Sequence, residues 1–430
     1  MYILYNIILM LLTMSLFPAV CVVLLCRKKY RCGFLEKCGI TLNRQRHLEP
    51  LSRPVWIHAV SVGEVMAAVP LIKEIKKRYP GMPVLLSTVT ETGNLTARRN
   101  LKNVDRVIFF PFDYPFIVKK VISRIKPIAF VTLETEIWPN FLHELKRQGI
   151  PSMIISGRIS SRSFKSYNFF RFFFKRVLAN ISFFCMQTTK DAERIMRMGA
   201  APENVITAGN IKFDQQVPPI TPGEQEAIYR ELKIKKKQHV FIAGSTHRGE
   251  EDIILDVFRE IKKKFPDTIL ILAPRHPERF DEVEALLKQS AIPFVRKTAL
   301  TNNPAAIPPD IVLLDTIGEL SKIYSLGTIV FIGGSLVPVG GHNVLEPAVF
   351  NKPVIFGNFM GNFAEIAKIL KRKKAALQVS SGEELAAQAL SLFENPELCR
   401  QIGETAFQVI ENNSGAVSKS TDILHTLLNY

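Results

Sequence analysis

Acidic side chains suited to acid–base chemistry follow two apolar runs in the first half of the chain. Glu64 comes after the run Val55–Ala59 and directly follows Gly63, at the expected first turn of a helix. A carboxylate held there can act as a general base that takes a proton from a hydroxyl nucleophile. The alternative is a first-turn glutamate that only favours the helix dipole, and spacing alone leaves both interpretations open.

A second acidic pair, Glu134 and Glu136, follows the apolar run Ala129–Leu133. The pair lies just before Trp138, one of only two tryptophans. Its structural alternative is that Glu136 caps a helix and Glu134 is solvated. Lys212 follows a later apolar run and adds a cation. Since the carboxyl ends of parallel strands lie at one edge of a sheet, these groups predict an active-site cleft.

The segment Phe331–Ala348, FIGGSLVPVGGHNVLEPA, predicts a nucleotide site in the second half. A buried strand should run into two glycine corners, Gly333–Gly334 and Gly340–Gly341, with a helix beginning near Asn343. Paired glycines let a backbone approach a ligand, and a helix start attracts phosphate. Glu346, one turn in, is placed to accept hydrogen bonds from ribose hydroxyls. The alternative is an ordinary strand–turn–helix.

Three other apolar runs of the second half also end in polar or glycine-containing turns. They lead into Gly244–Glu250, Pro274–Arg279 and Asp315–Glu319. Arg275 can clamp a phosphate or a sugar acid in a bidentate manner. Four such strand ends on one rim favour the nucleotide site over the ordinary turn.

Several familiar sites are missing from the sequence. It has no Walker motif, no GxGxxG after a first strand, no HExxH and no paired DxD. We therefore expect no metal and no cofactor, and His342 is expected to position backbone or to bond a ligand.

Short apolar runs alternate with amphipathic stretches in both halves, a pattern typical of parallel sheets covered by helices. The stretch Val217–Gly223 contains three prolines and predicts a linker. The predicted organisation is an anchor at 1–30, a Rossmann-like domain at 50–215, a linker at 216–236, a second Rossmann-like domain at 237–412 and a helix packing back at 413–430. The predicted strands are Val55–Ala59, Pro83–Ser87, Val107–Phe110, Ala129–Leu133, Ser152–Ile155, Phe183–Gln187 and Val205–Ala208, then Val240–Ala243, Thr268–Ala273, Ile311–Leu314, Thr328–Ile332 and Pro353–Phe356.

Composition restricts the class of protein. The chain has 430 residues, 47% of them hydrophobic, and a formal net charge of +17. Such a charge favours anionic partners, and without a nucleic-acid-binding motif a membrane surface is the better interpretation than nucleic acid. The six cysteines show no CxxC pair and are expected to be free thiols.

The N-terminus is long and apolar enough to anchor the chain. Residues Ile3–Cys26 are mostly apolar, and the basic run Arg27–Arg31 follows at once. By the positive-inside rule this order predicts an uncleaved anchor with the rest of the chain in the cytoplasm. A helix lying in the interface is the alternative. The Phe-rich stretch Phe164–Asn180 predicts either a core helix with one wet side or an interfacial helix.

Five motifs resemble those of one glycosyltransferase family, the 3-deoxy-D-manno-octulosonic acid (Kdo) transferases. The resemblance covers nearly the whole chain, and it implies the GT-B architecture, two Rossmann-like domains facing a cleft. The motifs are HAVSVGE (His58–Glu64), ETEIWPN (Glu134–Asn140), GNIKFD (Gly209–Asp214), PRHPERF (Pro274–Phe280) and GGSLVPVGGHNVLEP (Gly333–Pro347).

The resemblance implies transfer of Kdo from CMP-Kdo to a lipid A precursor at the cytoplasmic face of a Gram-negative inner membrane. Glu64 would be the general base of an inverting reaction, and Glu134 and Lys212 would stabilise the transition state. Residues at three strand ends would hold CMP: Pro274, Arg275, Ile317, Gly318, Glu319, Asn343, Val344, Leu345 and Glu346.

Two other classes of protein compete with this assignment. One is another GT-B enzyme, either a different lipid-linked sugar transferase or a sugar-nucleotide epimerase; the anchor and the Phe-rich stretch disfavour a soluble epimerase. The other is a membrane-tethered nucleotide sensor, which gives Glu64 and Glu134 no reason to follow strand ends.

Overall fold

The alternating apolar runs fold into two parallel sheets, each in its own unit of the chain, in a computed structural model that describes residues 1–26, 31, 33–40, 51–214, 217, 220–302 and 309–428. The first unit comprises Met1–Gln215 and Asn413–Tyr430, and the second comprises Gln216–Asn412. Two parallel α/β units confirm the predicted fold class.

The first sheet has the strand order β3-β2-β1-β4-β5-β6-β7, and every pairing in it is parallel. The order reverses between β1 and β4, which pair directly, with His58 opposite Thr132. Ligands of such sheets bind outside the carboxyl ends at this reversal. The strands are β1 (Val55–His58), β2 (Val84–Thr88), β3 (Arg106–Phe109), β4 (Ala129–Leu133), β5 (Ser152–Gly157), β6 (Phe183–Met186) and β7 (Val205–Thr207).

Two apolar clusters cover the two faces of this sheet. Val65 and Leu71 of α3 pack on one face with Leu424 of α19, and Phe141 of α6 packs on the other with Trp56. The helices of the unit are α1 (Tyr2–Cys26), α2 (Phe34–Lys37), α3 (Val62–Arg78), α4 (Glu91–Asn100), α5 (Pro115–Ile125), α6 (Pro139–Arg147), α7 (Ser161–Phe169), α8 (Arg171–Leu178), α9 (Thr189–Met198) and α19 (Ala416–Leu428).

The second sheet has the order β10-β11-β9-β8-β12-β13-β14, again all parallel. Its order reverses between β8 and β12, whose residues Gly244 and Ile332 lie opposite each other. The strands are β8 (Val240–Thr246), β9 (Ile269–Pro274), β10 (Phe294–Arg296), β11 (Ile311–Leu313), β12 (Ile329–Ile332), β13 (Val354–Phe356) and β14 (Leu377–Gln378).

The helices of the second unit supply a core that includes Phe258, Leu287 and Leu392. They are α10 (Pro222–Glu231), α11 (Glu250–Lys264), α12 (Phe280–Gln289), α13 (Lys297–Asn302), α14 (Leu320–Ile323), α15 (Leu345–Ala348), α16 (Ala364–Arg372), α17 (Gly382–Glu394) and α18 (Pro396–Asn413), the last ending at the unit boundary.

Several elements differ from the predictions. Strands β10 and β14 were not predicted, since they have only three and two residues. Where a linker was expected over 216–236, α10 forms, with a capping box in which Thr221 and Glu224 bond each other's backbone N–H. The single predicted helix over Phe164–Asn180 is two helices that meet at Phe170.

Some predictions fall partly on residues outside the described ranges. The basic run after α1 lies there except for Arg31, and so do Pro218 and Pro219 of the proline stretch and two cysteines, Cys32 and the side chain of Cys21. The four cysteines with described side chains are free thiols: Cys26, Cys38, Cys185 and Cys399.

The C-terminal helix belongs to the first unit and supports the turn that carries Lys212. Asp214, the last residue of the 3-10 turn Ile211–Asp214, accepts the backbone N–H of Gly415 at 2.5 Å and of Val417 at 2.8 Å. These bonds cap the start of α19, which packs against α3. The helix thereby fixes the backbone of the turn.

Candidate active site

Glu64 lies at the carboxyl edge of the first sheet, in the first turn of α3, and is 9% exposed. Its carboxylate accepts the backbone N–H of Val60 at 2.9 Å and the hydroxyl of Ser61 at 3.0 Å. Burial raises the pKa of Glu64, and the charge of Glu134 adds to this, against the two donors and Lys212. The residue therefore caps its helix and is also a stronger base than an exposed glutamate.

Glu134 and Lys212 form an ion pair near Glu64. The ammonium of Lys212 lies 3.3 Å from Oε1 of Glu134, with the two side chains 17% and 30% exposed. Glu134 directly follows β4 and has a φ of 56°, a left-handed conformation that costs a non-glycine residue energy. The structure thus brings together all three residues predicted to be catalytic.

Glu136 is a fourth member of this group. Its carboxylate accepts the indole N–H of Trp138 at 3.1 Å. Burial raises the pKa of Glu136 to about 7, and repulsion by Glu64 and Glu134 contributes. Neither half of the structural alternative describes the pair. Glu134 forms an ion pair with Lys212, and the N-cap of α6 is Trp138 and not Glu136.

A polar network behind Lys212 was not predicted as a site. The amide of Gln187 donates to the carbonyl of Ser156 at 3.0 Å and to its hydroxyl at 3.1 Å, and Asn210 donates to Gln187 at 3.3 Å. Asn210 also accepts the backbone N–H of Lys212 at 3.0 Å. The only signal in the sequence is that Ser156, Gln187 and Asn210 all lie at strand ends.

The group as a whole carries more negative than positive charge. Three partly buried carboxylates lie near one cation, Lys212. The site therefore favours the binding of a proton or a cation. Such a site can remove a proton from a hydroxyl and hold a second ionic group in place.

In the second unit, Glu250 ties the strand ends on the two sides of the reversal together. This fully buried carboxylate follows β8 and accepts four backbone N–H groups, those of His247 (3.0 Å), Gly334 (2.6 Å), Ser335 (3.0 Å) and Leu336 (2.9 Å). Sequence reasoning placed Glu250 in a polar turn and missed this role, because three of its four partners lie more than 80 residues away.

The glycine corners are therefore only partly as predicted. Gly334, Gly340 and Gly341 have positive φ angles, as expected, and a Cβ on Gly333 would lie 2.4 Å from the carbonyl oxygen of Ser245. The backbone N–H groups of Gly334, Ser335 and Leu336 donate to Glu250, so at this corner they do not face a ligand.

The predicted helix start near Asn343 is confirmed to within two residues, but the helix is short. Helix α15 begins at Leu345 and has only four residues, and the Asn343 side chain accepts the Leu345 N–H at 3.1 Å. A single turn has little macrodipole, which weakens the dipole argument for phosphate. The Asn343 amide also donates to Glu346 at 3.2 Å. Burial raises the pKa of Glu346, opposed by Asn343 and by the charge of Arg275.

Two histidines meet beside the second glycine corner. Nε2 of His247 lies 2.8 Å from Nε2 of His342, and the rings are stacked with centroids 5.1 Å apart. Burial, reinforced by nearby cations that include Arg275, lowers the pKa of His247 to about 4 and that of His342 to about 3. Both rings are therefore neutral at pH 7, and Arg275, exposed after β9, supplies positive charge.

The turn over Ile317–Glu319 presents a backbone and an apolar side chain. Ile317 is 78% exposed, and Gly318 has a φ of +88° with open space where a Cβ would lie. Glu319 binds the ammonium of Lys297 through both oxygens at 2.8 Å. Glu319 thus holds the turn in place, with Ile317 and Gly318 outward.

Comparison with known proteins identifies relatives that cover most of the chain. Residues 27–215 match the family model described as 3-deoxy-D-manno-octulosonic-acid transferase (kdotransferase). The chain is 33% identical to the 3-deoxy-D-manno-octulosonic acid transferase of Haemophilus influenzae over 406 residues, which is 93% of this chain and 92% of that protein.

One further relative and one solved structure differ in what they cover. A bifunctional glycosyltransferase/methyltransferase of Fusobacterium nucleatum is 38% identical over 79% of this chain, but the match spans only 52% of that longer protein. The UDP-GlcNAc 2-epimerase of Neisseria meningitidis has a TM-score of 0.57 over 88% of this chain and all of the epimerase, at 14% identity. An identity this low shows a shared fold alone.

Glu136→Gln tests the crowding of carboxylates. Because the folded pKa is about 7 and the ordinary value is 4.5, wild-type stability from this group is lost as pH rises from 4.5 through 7. The neutral variant escapes that loss. We expect its free energy of unfolding relative to wild type to increase by about 1–3 kcal/mol between pH 5 and pH 8, measured by urea denaturation.

Glu193→Gln, at an exposed position of α9, is the control. Its free energy of unfolding relative to wild type should be the same at pH 5 and at pH 8. A Glu136→Gln difference that is the same at both pH values would contradict the raised pKa.

Glu250→Gln tests the tie between the two strand ends. The amide replaces an acceptor oxygen by an N–H₂ that faces backbone donors, in a buried place. We expect the free energy of unfolding to fall by about 3 kcal/mol or more, seen in urea or thermal denaturation.

Asp252→Asn, exposed in the same turn of α11, is the matched control and should change stability by less than about 0.5 kcal/mol. Equal stabilities for Glu250→Gln and wild type would show that the four bonds do not hold the corner.

Proposed function

The chain belongs to the family of 3-deoxy-D-manno-octulosonic acid (Kdo) transferases, and we propose that it moves one or more Kdo residues from CMP-Kdo to the lipid A precursor lipid IVA. The reaction is a step of lipopolysaccharide core biosynthesis, and the family membership makes the chain a glycosyltransferase. The acceptor, the stereochemistry and the residue roles are our proposals.

One observation carries the proposal most directly. Glu64, buried and with a raised pKa, lies in the same group of charges as the Glu134–Lys212 ion pair, at the edge of the sheet where parallel folds bind ligands. A nucleotide sensor has no need of a buried base beside an ion pair, so this arrangement supports an enzyme.

The reaction follows from these groups. Glu64 takes the proton of the acceptor hydroxyl while the oxygen of that hydroxyl attacks the anomeric carbon of Kdo. The bond from that carbon to the phosphate oxygen of CMP breaks, and CMP leaves with the electron pair. Attack opposite the leaving group inverts the configuration at the anomeric carbon, by analogy with inverting glycosidases. No carboxylate need form a covalent intermediate.

Lys212 supplies the positive charge of the first unit's site. Its ammonium is held by Glu134 and its backbone by Asn210, so it is positioned before substrate binds. It can face the carboxylate of Kdo or the departing phosphate. Either contact stabilises negative charge in the transition state without a reorganisation of the protein.

Arg275, Asn343 and Glu346 are the proposed polar contacts to the nucleotide. Arg275 is exposed at a strand end and its charge reaches Glu346 and the neutral histidine pair. A guanidinium can bind a phosphate in a bidentate manner, and a partly buried carboxylate can accept from ribose hydroxyls. These properties support a nucleoside monophosphate as ligand.

The remaining nucleotide contacts are proposed to be mostly backbone and apolar. Pro274 ends β9, and Ile317 with Gly318 forms an open, outward turn that Glu319 holds through Lys297. Val344 and Leu345 are buried and fix the backbone around Asn343. Such contacts suit the recognition of a flat base.

We propose that the enzyme works at the cytoplasmic face of the bacterial inner membrane, with α1 as its single anchor. Tyr2–Ala19 of α1 is long and apolar enough to cross a bilayer, which is weak support for an anchor. The charge of +17 suits a phosphorylated acceptor embedded in anionic lipid.

Glu64→Gln tests the general base. The amide cannot accept the proton, so we expect turnover to fall by about 10²–10⁴-fold while the affinity for CMP stays within about twofold. Turnover is measured with CMP-Kdo and lipid IVA, and CMP affinity by calorimetry.

Glu91→Gln is the matched control, since Glu91 is the first-turn acid of the next helix and tests the effect of helix dipoles alone. Turnover by Glu64→Gln within tenfold of wild type would reduce Glu64 to a capping residue.

A further inference from the structure

The first helix carries a large apolar surface that the first unit does not cover. Among the residues of α1 whose side chains are described, one stripe faces the protein, formed by the partly buried residues at the spacing i, i+3, i+4 and i+7: Tyr2, Tyr5, Asn6 and Leu9. Three hydrogen bonds join this stripe to the unit: Tyr5 Oη to Asp113 Oδ2 at 3.0 Å, Asn140 Nδ2 to Asn6 Oδ1 at 2.7 Å and Asn180 Nδ2 to Tyr2 Oη at 2.8 Å.

The other described side chains of α1 are mostly apolar and exposed. Between Met10 and Ala19 every residue is exposed, so this part of the helix has no covered side. The exposed large apolar residues are Ile3, Leu4, Ile7, Ile8, Met10, Leu11, Leu12, Met14, Leu16, Phe17 and Val22. A surface of this kind on a single helix requires a partner.

Exposed phenylalanines continue this surface on both sides. The ring of Phe116, a residue that is 71% exposed, lies 5.9 Å from the ring of Tyr114, which contacts Thr13 of α1. On the other side Phe173 lies 5.7 Å from the ring of Tyr5. Its neighbours at the α7–α8 junction, Phe169, Phe170 and Phe172, are 82%, 59% and 68% exposed. We call α1 with these four exposed phenylalanines the α1 surface.

The first turn of α1 and a residue beyond its C-terminal end are attached to neighbouring residues of the first unit. The hydroxyl of Tyr5 binds Asp113, and the carbonyl of Lys37, past the end of the helix, accepts the N–H of Phe112 at 2.9 Å. Since Phe112 and Asp113 are consecutive, Tyr5 and Lys37 lie on the same side of any membrane.

A helix that crosses the membrane would separate these two points. The hydrocarbon core is about 30 Å thick, and the chain would have to cross it again between Cys26 and Lys37. That segment is too short for a second spanning helix of about 20 residues, and non-helical backbone is not stable in lipid. The contacts therefore contradict a spanning α1.

The charged side chains of the two segments that carry the exposed phenylalanines are all positive. The stretch 161–178 contains five cations, and the stretch 115–125 contains three. Neither stretch contains a carboxylate. Arg171, Lys175 and Arg176 are exposed between the phenylalanines, and the guanidinium of Arg176 lies 4.9 Å from the ring of Phe172. An apolar surface edged by cations complements an anionic lipid bilayer.

We propose that α1 lies in the plane of one leaflet and that the whole α1 surface, phenylalanines included, is the face that the first unit presents to anionic phospholipid. The helix is then a monotopic anchor and not a transmembrane one. The proposal rests on the proposed function in one respect, the assignment of α1 to the cytoplasmic leaflet.

The first test is the side of the membrane on which the N-terminus lies. The full chain with an N-terminal epitope tag is produced in a Gram-negative host, and protease is added to spheroplasts. We expect the tag to survive until the cells are lysed, while a periplasmic marker is degraded. Loss of the tag in intact spheroplasts would mean that α1 spans the membrane and would overturn the proposal.

The second test is flotation with vesicles of phosphatidylglycerol and phosphatidylethanolamine. Replacing Phe169, Phe170 and Phe172 together by Ser should lower partitioning at least about tenfold, whereas the control Leu95→Ser, exposed in α4, should not change it. Arg171→Glu with Lys175→Glu should remove the preference for these vesicles over phosphatidylcholine.

Transferase turnover with the acceptor in detergent should be unchanged in these variants, so a loss there would count against the proposed function and not against the membrane face. Unchanged flotation would overturn the proposal. So would a change of oligomeric state without a change of flotation, because the surface would then bind a second copy of the chain.

Discussion

The reversal of strand order in each parallel sheet is the constraint on which the rest of the structure depends. In the first sheet the helix after β1 and the helix after β4 pack on opposite faces, since Val65 belongs to one apolar cluster and Phe141 to the other. The turns that start these helices therefore part at the carboxyl edge. Glu64 and Glu134 lie in those two turns, and Lys212 lies in the turn after β7, which packs against α3.

The two units use buried carboxylates in opposite ways. Glu250 has four backbone donors for one charge, so its charge is consumed in holding β8 and β12 together. Burial raises the pKa of both carboxyl groups, but Glu64 accepts one backbone N–H and one hydroxyl and has two acidic neighbours. The first arrangement stabilises a corner, and the second leaves acceptor capacity for a proton, as the proposed role of Glu64 as general base requires.

What the sequence predicted well depends on local pattern, and what it missed depends on distant contacts. Glu64, Glu134 and Lys212 were predictable because each follows an apolar run, and parallel strands bring their ends together. The binding of Glu250 to Gly334 was not, since nothing near Glu250 indicates a partner 84 residues away. The break at Phe170 was not predictable, because apolar residues continue at helical spacing through it. The shortness of α15 was not predictable either, because an Asn at a helix start indicates where the helix begins and not how long it is.

The most direct test of the central claim is a transfer assay resolved by mass. The full chain in detergent receives labelled CMP-Kdo and tetra-acylated lipid IVA, with EDTA present because no metal is expected. We predict mass increments of Kdo on the lipid, whose number gives how many sugars are added. No increment from folded protein that still binds CMP would contradict the proposed acceptor or donor, and failure to bind CMP would contradict the nucleotide site itself.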